Sequence, residues 1–218
     1  MLCWCAWVKM SAVTSPAATS AVCVLFVGSA LVIDREPDII YSNDEKLLIG
    51  LISDTHIAFP HEKLPTQIGD ALRGVDLILH AGDIWIPSVL DELEVVAPVK
   101  AAWGDDDMPA DLGGDPRMME GYCLTLEGVT LWLTHVKPRS ALLDPDKELY
   151  QALPIGPKEP PRVVVYGHTH FANIEHYNGT LLVNPGSATV PNYVPKLGTV
   201  ALLTIDSGEV EARLVPLA

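Results

Sequence analysis

Residues 46–56 read KLLIGLISDTH, an apolar run that stops abruptly at Asp54, Thr55 and His56. A short, nearly unbroken apolar segment closed by polar residues is the pattern of a buried β-strand, here Lys46 to Ser53. The pattern recurs twice. Val75 to His80 (VDLILH) runs into Gly82-Asp83, and Val99 to Trp103 runs into Gly104-Asp105-Asp106-Asp107. Between these strands, Glu62 to Arg73 and Ser88 to Val96, the latter behind Pro87, read as helices. Strand, helix, strand in alternation predicts parallel pairing with crossover connections.

The second half changes character. Tyr122 to Leu126 and Val129 to Thr134 flank Glu127-Gly128, while Phe171 to Tyr177 and Thr180 to Val183 flank Asn178-Gly179, a strong hairpin signal. Val200 to Ile205 and Val210 to Val215 flank a further turn at Asp206-Ser207-Gly208. The expected fold is α/β, two mixed sheets packed face to face with helices outside.

A chain of 218 residues suits one such domain. Its formal charge of -14 argues against general nucleic-acid or anionic-membrane binding, because those partners attract clustered Lys and Arg. A phosphate substrate would need local positive charge, and bound divalent cations could supply it. Cys3, Cys5 and Cys23 precede the domain and Cys123 stands alone within it, so no disulfide framework is expected and a reducing, cytoplasmic setting fits. The spacing of Cys3 and Cys5 misses that of zinc thiolates.

Residues 1–45 are expected to be a poorly ordered extension of a domain spanning residues 46–218. The apolar run Ala21 to Ile33 is too short to span a membrane, and export on a weak N-terminal signal is disfavoured. Self-association into a homo-oligomer stays open.

The strand ends carry the chemistry. Asp54-Thr55-His56 ends the first, Gly82-Asp83 the second, Gly104-Asp105-Asp106-Asp107 the third, His135 a later one, and Gly167-His168-Thr169-His170 the next. Open α/β sheets gather ligands at the carboxyl ends of their strands, so these segments should converge. Carboxylates and imidazoles suit manganese, iron or zinc, and a bridging carboxylate can hold two ions about 3.5–4 Å apart. Such a pair lowers the pKa of a bridging water, clamps phosphoryl oxygens and offsets charge in an in-line displacement. His168 and His170 would both reach the metals only where the strand geometry breaks, since residues two apart share a strand face.

The set DTH, GD, the Asp105 segment, His135, GHTH and Asn184-Pro185-Gly186-Ser187 resembles the calcineurin-like metallophosphoesterases, and its layout is most similar to the small YfcE-type phosphodiesterases. The resemblance implies an αββα sandwich with a dinuclear site. Asp54, His56 and His170 would bind the first metal, Asp83 would bridge, and Asp105, His135 and His168 would bind the second. Asp54, His56, Asp83, Asp105 and His135 would carry the catalysis. Manganese is the expected ion, with iron, zinc or nickel as alternatives, and the substrate a phosphodiester or small organic phosphate.

Two positions depart from that family. Asp105 stands where Asn is usual, which removes an amide donor to the phosphate and adds a negative charge. Val136 follows His135 where Gly is usual, stiffening the loop. Asp106 occupies the place of the histidine general acid of some members, so protonation of the leaving group would fall to water or another residue. Asp107 could orient a ligand or accept bonds in a turn; Asn184 and Ser187 are expected to shape the Pro-Gly turn. His80 reads as a core residue, His61 and His176 as surface residues, Trp103 as packing and Cys123 as a small buried hydrophobe. The alternative function is a catalytically weak or inactive scaffold of the same fold, a protein-binding platform like the retromer subunit with this architecture.

Overall fold

The computed structural model describes residues 24–27, 30–33, 39–40, 46–139, 143, 156–157 and 159–218, the first three stretches by backbone alone. The chain divides into two units, Met1–Glu36 and Pro37–Ala218. In the first, β1 (Val24–Val27) pairs antiparallel with β2 (Ala30–Ile33), so strands lie within the apolar run Ala21 to Ile33. The expected poorly ordered extension otherwise lies outside the described residues.

The second unit opens with β3 (Ile39–Ile40) and β4 (Lys46–Ile52). There follow α1 (Thr66–Ala71), β5 (Leu77–His80), α2 (Pro87–Glu94), β6 (Val99–Ala102), α3 (Pro109–Leu112), β7 (Met118–Met119), β8 (Tyr122–Leu126) and β9 (Val129–Leu133). The series ends with β10 (Val163–Val165), β11 (Asn173–Tyr177), β12 (Thr180–Asn184), β13 (Thr199–Asp206) and β14 (Glu209–Pro216). The strands form two mixed six-stranded sheets. One runs β14-β13-β4-β5-β6-β7, with β4 to β7 parallel, and the other runs β11-β12-β10-β9-β8-β3, with β9, β10 and β12 parallel.

Alternation along β4 builds both layers. Leu47, Ile49 and Leu51 join Leu79, Leu131, Val163, Val183 and Leu203 in the core between the sheets. Ile52 and Ile78 face the other way, against Ile68 of α1 and Val89, Leu90 and Leu93 of α2. Each such side chain, removed fully from water, contributes roughly 1.5–3 kcal/mol. The outer face of the second sheet carries a smaller cluster, Trp132, Leu143, Val164, Tyr166 and Leu182. Cys123 differs from expectation: it lies on the outward face of β8, paired with Trp132, and is exposed.

The helix expected from Glu62 begins only at Thr66. Pro65 disfavours helical backbone at Leu64 before it, and the Leu64 N–H donates to the Glu92 carboxylate (3.0 Å). Arg117 ties the approach to β7 onto α2, donating to Asp115 (2.9 and 2.6 Å), Asp91 (2.8 Å) and Glu94 (2.9 Å). Among the described residues no helix is long and apolar enough to cross a membrane.

His80 is fully buried at the end of β5 with both ring nitrogens engaged: Nδ1 accepts from the Gly82 N–H (3.2 Å) and Nε2 meets Thr55 Oγ1 (3.1 Å). Burial, aided by repulsion from His135, pulls its pKa from 6.5 down to about 3. Below pH 6.5 the unfolded chain therefore takes up a proton that the folded chain refuses, and this group destabilises the fold increasingly as pH falls towards 3. The expected slope from His80 is at most about 1.4 kcal/mol per pH unit. Urea denaturation of wild type and His80→Leu between pH 7 and 5 checks it: the variant should be the less pH-sensitive, and equal slopes would show that His80 titrates normally.

Candidate metal centre

Beyond β4 the backbone turns into the left-handed region at Asp54 (φ 52°) and His56 (φ 44°), beyond β5 at Asp83 (φ 58°), and beyond β10 at His168 (φ 66°) and His170 (φ 59°). Such conformations are uncommon for residues with side chains and cost of order 1–3 kcal/mol each. The loops fix one another. Asp54 N–H donates to Gly82 O (3.0 Å), His56 N–H to Asp83 O (3.1 Å) and Gly167 N–H to His135 O (2.8 Å). The strand break anticipated at His168 and His170 is thus present, and it aims the two imidazoles at different partners.

All seven side chains singled out in the sequence come together, in two groups. Asp54, His56, Asp83 and His170 each offer a donor atom within 4.8 Å of the others, and Asp105, His135 and His168 do the same. In the first group His56 Nε2 and His170 Nε2 stand 3.1 Å apart, with Asp83 Oδ2 at 3.5 Å from the former and Asp54 Oδ1 at 3.6 Å from the latter. In the second, Asp105 Oδ1 lies 2.6 Å from His135 Nε2 and 2.9 Å from His168 Nδ1. Asp83 sits between them, its Oδ2 also 3.4 Å from His135 Nε2. Asp54 is fully buried, whereas the Asp105 and His168 side chains are 56% and 45% exposed, so the second group is the open one.

The proton inventory asks for positive charge. His135 Nδ1 lies 2.6 Å from Ala81 O and His170 Nδ1 lies 2.9 Å from Val190 O. A carbonyl only accepts, so each Nδ1 carries its proton and, in a neutral ring, each Nε2 turns a lone pair toward carboxylate oxygens. His135 Nε2 is buried without a hydrogen bond of proper geometry despite its near approach to both carboxylates. Lone pairs facing oxygens at such distances repel unless a proton or a cation lies between them. Anchoring a ligand histidine through its other nitrogen is usual at metal sites, so this donor set fits divalent cations.

The pKa shifts follow from the same crowding. Burial opposes charge on His135, but Asp83, the Ala81 carbonyl and Asp54 outweigh it and raise its pKa to about 9. Burial raises Asp54, with Ser53 Oγ (2.5 Å) partly offsetting it, and lowers His56. For Asp83 burial is outweighed by His135, and for Asp105 by His168, so both carboxyls fall below their usual value.

Asp107, for which the sequence left two roles open, accepts backbone N–H groups: Ile84 (2.7 Å) and Trp85 (2.8 Å) on Oδ1, Asp83 (3.1 Å) and Gly104 (2.8 Å) on Oδ2. It thereby clamps the Asp83 loop to the Asp105 loop. Asn184 holds the GHTH turn, donating to Gly167 O (2.8 Å) and Thr169 Oγ1 (3.0 Å), and Ser187 Oγ donates to Asp54 O (2.6 Å). The loops approach so closely that a Cβ on Gly104 would lie 2.1 Å from Asp83 Oδ1. Sequence reading missed Ser53, Trp85 and Tyr193 at the site. Ser53 could have been found from its place beside Asp54. Tyr193 gives no such signal, because it follows Asn192 through an irregular left-handed turn.

The chain is similar to known proteins over most of its length. The model of the calcineurin-like phosphoesterase superfamily domain matches residues 47–208. A probable metallophosphoesterase of Methanothermobacter thermautotrophicus is 36% identical over 171 residues, 78% of this chain and 92% of the relative. A phosphodiesterase of Methanocaldococcus jannaschii is 25% identical, covering 74% of this chain and 95% of its own length. Among solved structures, wild-type Vps29 of Entamoeba histolytica complexed with zinc superposes with a TM-score of 0.55 at 20% identity, over 79% of this chain and all of that one. The chain belongs to the calcineurin-like phosphoesterase superfamily and is a hydrolase of that class.

Proposed function

We propose that this chain hydrolyses phosphodiesters or small organic phosphates at a centre of two divalent cations, with manganese as the working ion. The observation that carries the reading is the pair of buried imidazoles, His135 and His170, each with Nδ1 committed to a backbone carbonyl and Nε2 facing carboxylate oxygen. Two bound cations would supply a hydroxide near neutral pH and the charge that an in-line displacement at phosphorus needs.

The chain's own residues set the geometry. Asp83 spans the two groups, within 3.5 Å of His56 and 3.4 Å of His135 through one oxygen, as a shared ligand requires. Its other oxygen accepts the Asp106 N–H (3.0 Å), which fixes the carboxylate plane. Asp105 and His168, the exposed members, stand where substrate would arrive. The second reading, a scaffold, is supported by the likeness to Vps29 and by the added charge at Asp105. Retention of every ligand-type side chain in both groups favours the enzyme. Placement in the cytoplasm rests on the cysteine usage alone.

Purified protein with manganese should hydrolyse bis(p-nitrophenyl) phosphate, and Asp83→Ala should lose at least about a hundredfold in rate. No activity above that variant with manganese, iron, nickel or zinc would overturn the proposal, and stable partner capture without turnover would favour the scaffold. Asp105→Asn restores a donor and removes a repelling charge, so it should raise kcat or lower KM, by about tenfold at most. Equal or weaker catalysis with intact metal content would show that this account of Asp105 is wrong.

A further inference from the structure

The site carries aromatic side chains that metal binding does not require. Ring contacts run in a row from Trp85 to His56, His170 and Tyr193, with centroids 4.9, 4.9 and 4.2 Å apart. The same rings, with Asp106 and Val190, line a cavity of about 290 Å³ that opens onto the first ligand group. A neighbouring cavity of about 400 Å³ shares Trp85 and Asp106 and adds Asp111 and Met108.

Both end members of the row are held under strain. Trp85 has φ 78° and Tyr193 φ 59°, and a bulky aromatic in the left-handed region is an outlier. The Trp85 indole N–H is also buried without a hydrogen-bond partner, while Tyr193 is 66% exposed and so gains little from burial. A smaller residue would serve folding better at either place. Strain of this kind persists where a side chain is needed for a ligand.

Charge indicates which ligand. The described walls of the two cavities hold the Asp106 and Asp111 carboxylates and no Lys or Arg. Lys63 and Lys196 line an adjoining cavity that shares His56 and Val190 and also holds Glu62. An anionic extension of the substrate, such as a polynucleotide or a nucleoside polyphosphate, would meet the Asp106 and Asp111 carboxylates and no Lys or Arg side chain along these walls. Ring faces beside a carboxylate attract an organic cation, and a quaternary ammonium most readily because it gives up no hydrogen bonds to water on entry. The cavity lies at the foot of the range of about 300–1,000 Å³ typical for drug-sized ligands, which suits a headgroup better than a nucleoside.

We infer that the cavity between Trp85, Tyr193 and Asp106 selects the substrate by its alcohol portion, and that this portion is a small quaternary ammonium alcohol such as choline esterified to phosphate. The inference rests on the phosphoesterase reading of the same site. Water adds to phosphorus, the bond from phosphorus to one ester oxygen breaks, and the proton from water ends on the departing alcohol; the ammonium group is unchanged and serves only as a handle.

Three chromogenic diesters test it with the manganese-loaded protein: p-nitrophenyl phosphorylcholine, the p-nitrophenyl ester of thymidine 5′-monophosphate, and bis(p-nitrophenyl) phosphate. The choline ester should exceed the nucleotide ester by about tenfold or more in kcat/KM, and Trp85→Leu and Asp106→Asn should each erode that ratio chiefly through KM. Independently of turnover, choline titrated into metal-free protein should quench tryptophan fluorescence saturably, and more weakly in Asp106→Asn. A nucleotide ester turned over as well or better, a ratio that neither substitution moves, or quenching that does not saturate would overturn the inference. If none of the three diesters is hydrolysed with manganese, iron, nickel or zinc, the diester-hydrolysing reading fails, while the choline titration still decides what the cavity prefers.

Discussion

Imidazole nitrogens and carboxylate oxygens that face one another at the joint of two sheets govern the rest of this molecule. His135 Nε2 against Asp83 and Asp105, and His56 against His170, are arrangements that a chain without cations holds only against repulsion or by trapping protons. The surrounding architecture is organised to resist that repulsion. Five of the seven ligand-type residues adopt left-handed backbone, and the loops bearing them are locked by mutual main-chain bonds. Asp107 gathers four N–H groups from two loops, Asn184 secures the GHTH loop of the opposite sheet, and Ser187 ties down the Asp54 loop. Local strain is sustained here because many contacts over-determine it.

The parallel strands β4, β5 and β6 could be read from sequence because burial on both faces writes a continuous apolar run. The hairpins were legible from Glu127-Gly128, Asn178-Gly179 and Ser207-Gly208, whose members all take positive φ, as a two-residue turn of that hand requires. Helix starts were less legible, since Pro65 overrides a helical period four residues before Thr66. Short strands such as β7 and β10 carry too few residues for a period to show.

At the site, strand-end aspartates and histidines announced themselves by type and order, and the structure gathers seven of them into two groups, leaving Asp106 and Asp107 outside both. The aromatic wall did not. Trp85 and Tyr193 are placed by backbone strain and by ring contacts to histidines distant in sequence, which no local pattern records. Cys123 failed for a simpler reason: one step along a strand reverses the face, and β8 turns that position outward.

Neither ligand group belongs to one sheet. The first joins Asp54, His56 and Asp83, which follow strands of the β4 sheet, to His170 from the β10 side; the second joins Asp105 of the former to His135 and His168 of the latter. The layer of Leu, Ile and Val between the sheets therefore acts as a spacer gauge for the centre, because its thickness, about 10 Å between sheets, sets how far apart the two halves stand. Trimming a methyl in that layer, far from any donor atom, would shift the two halves of each group relative to one another.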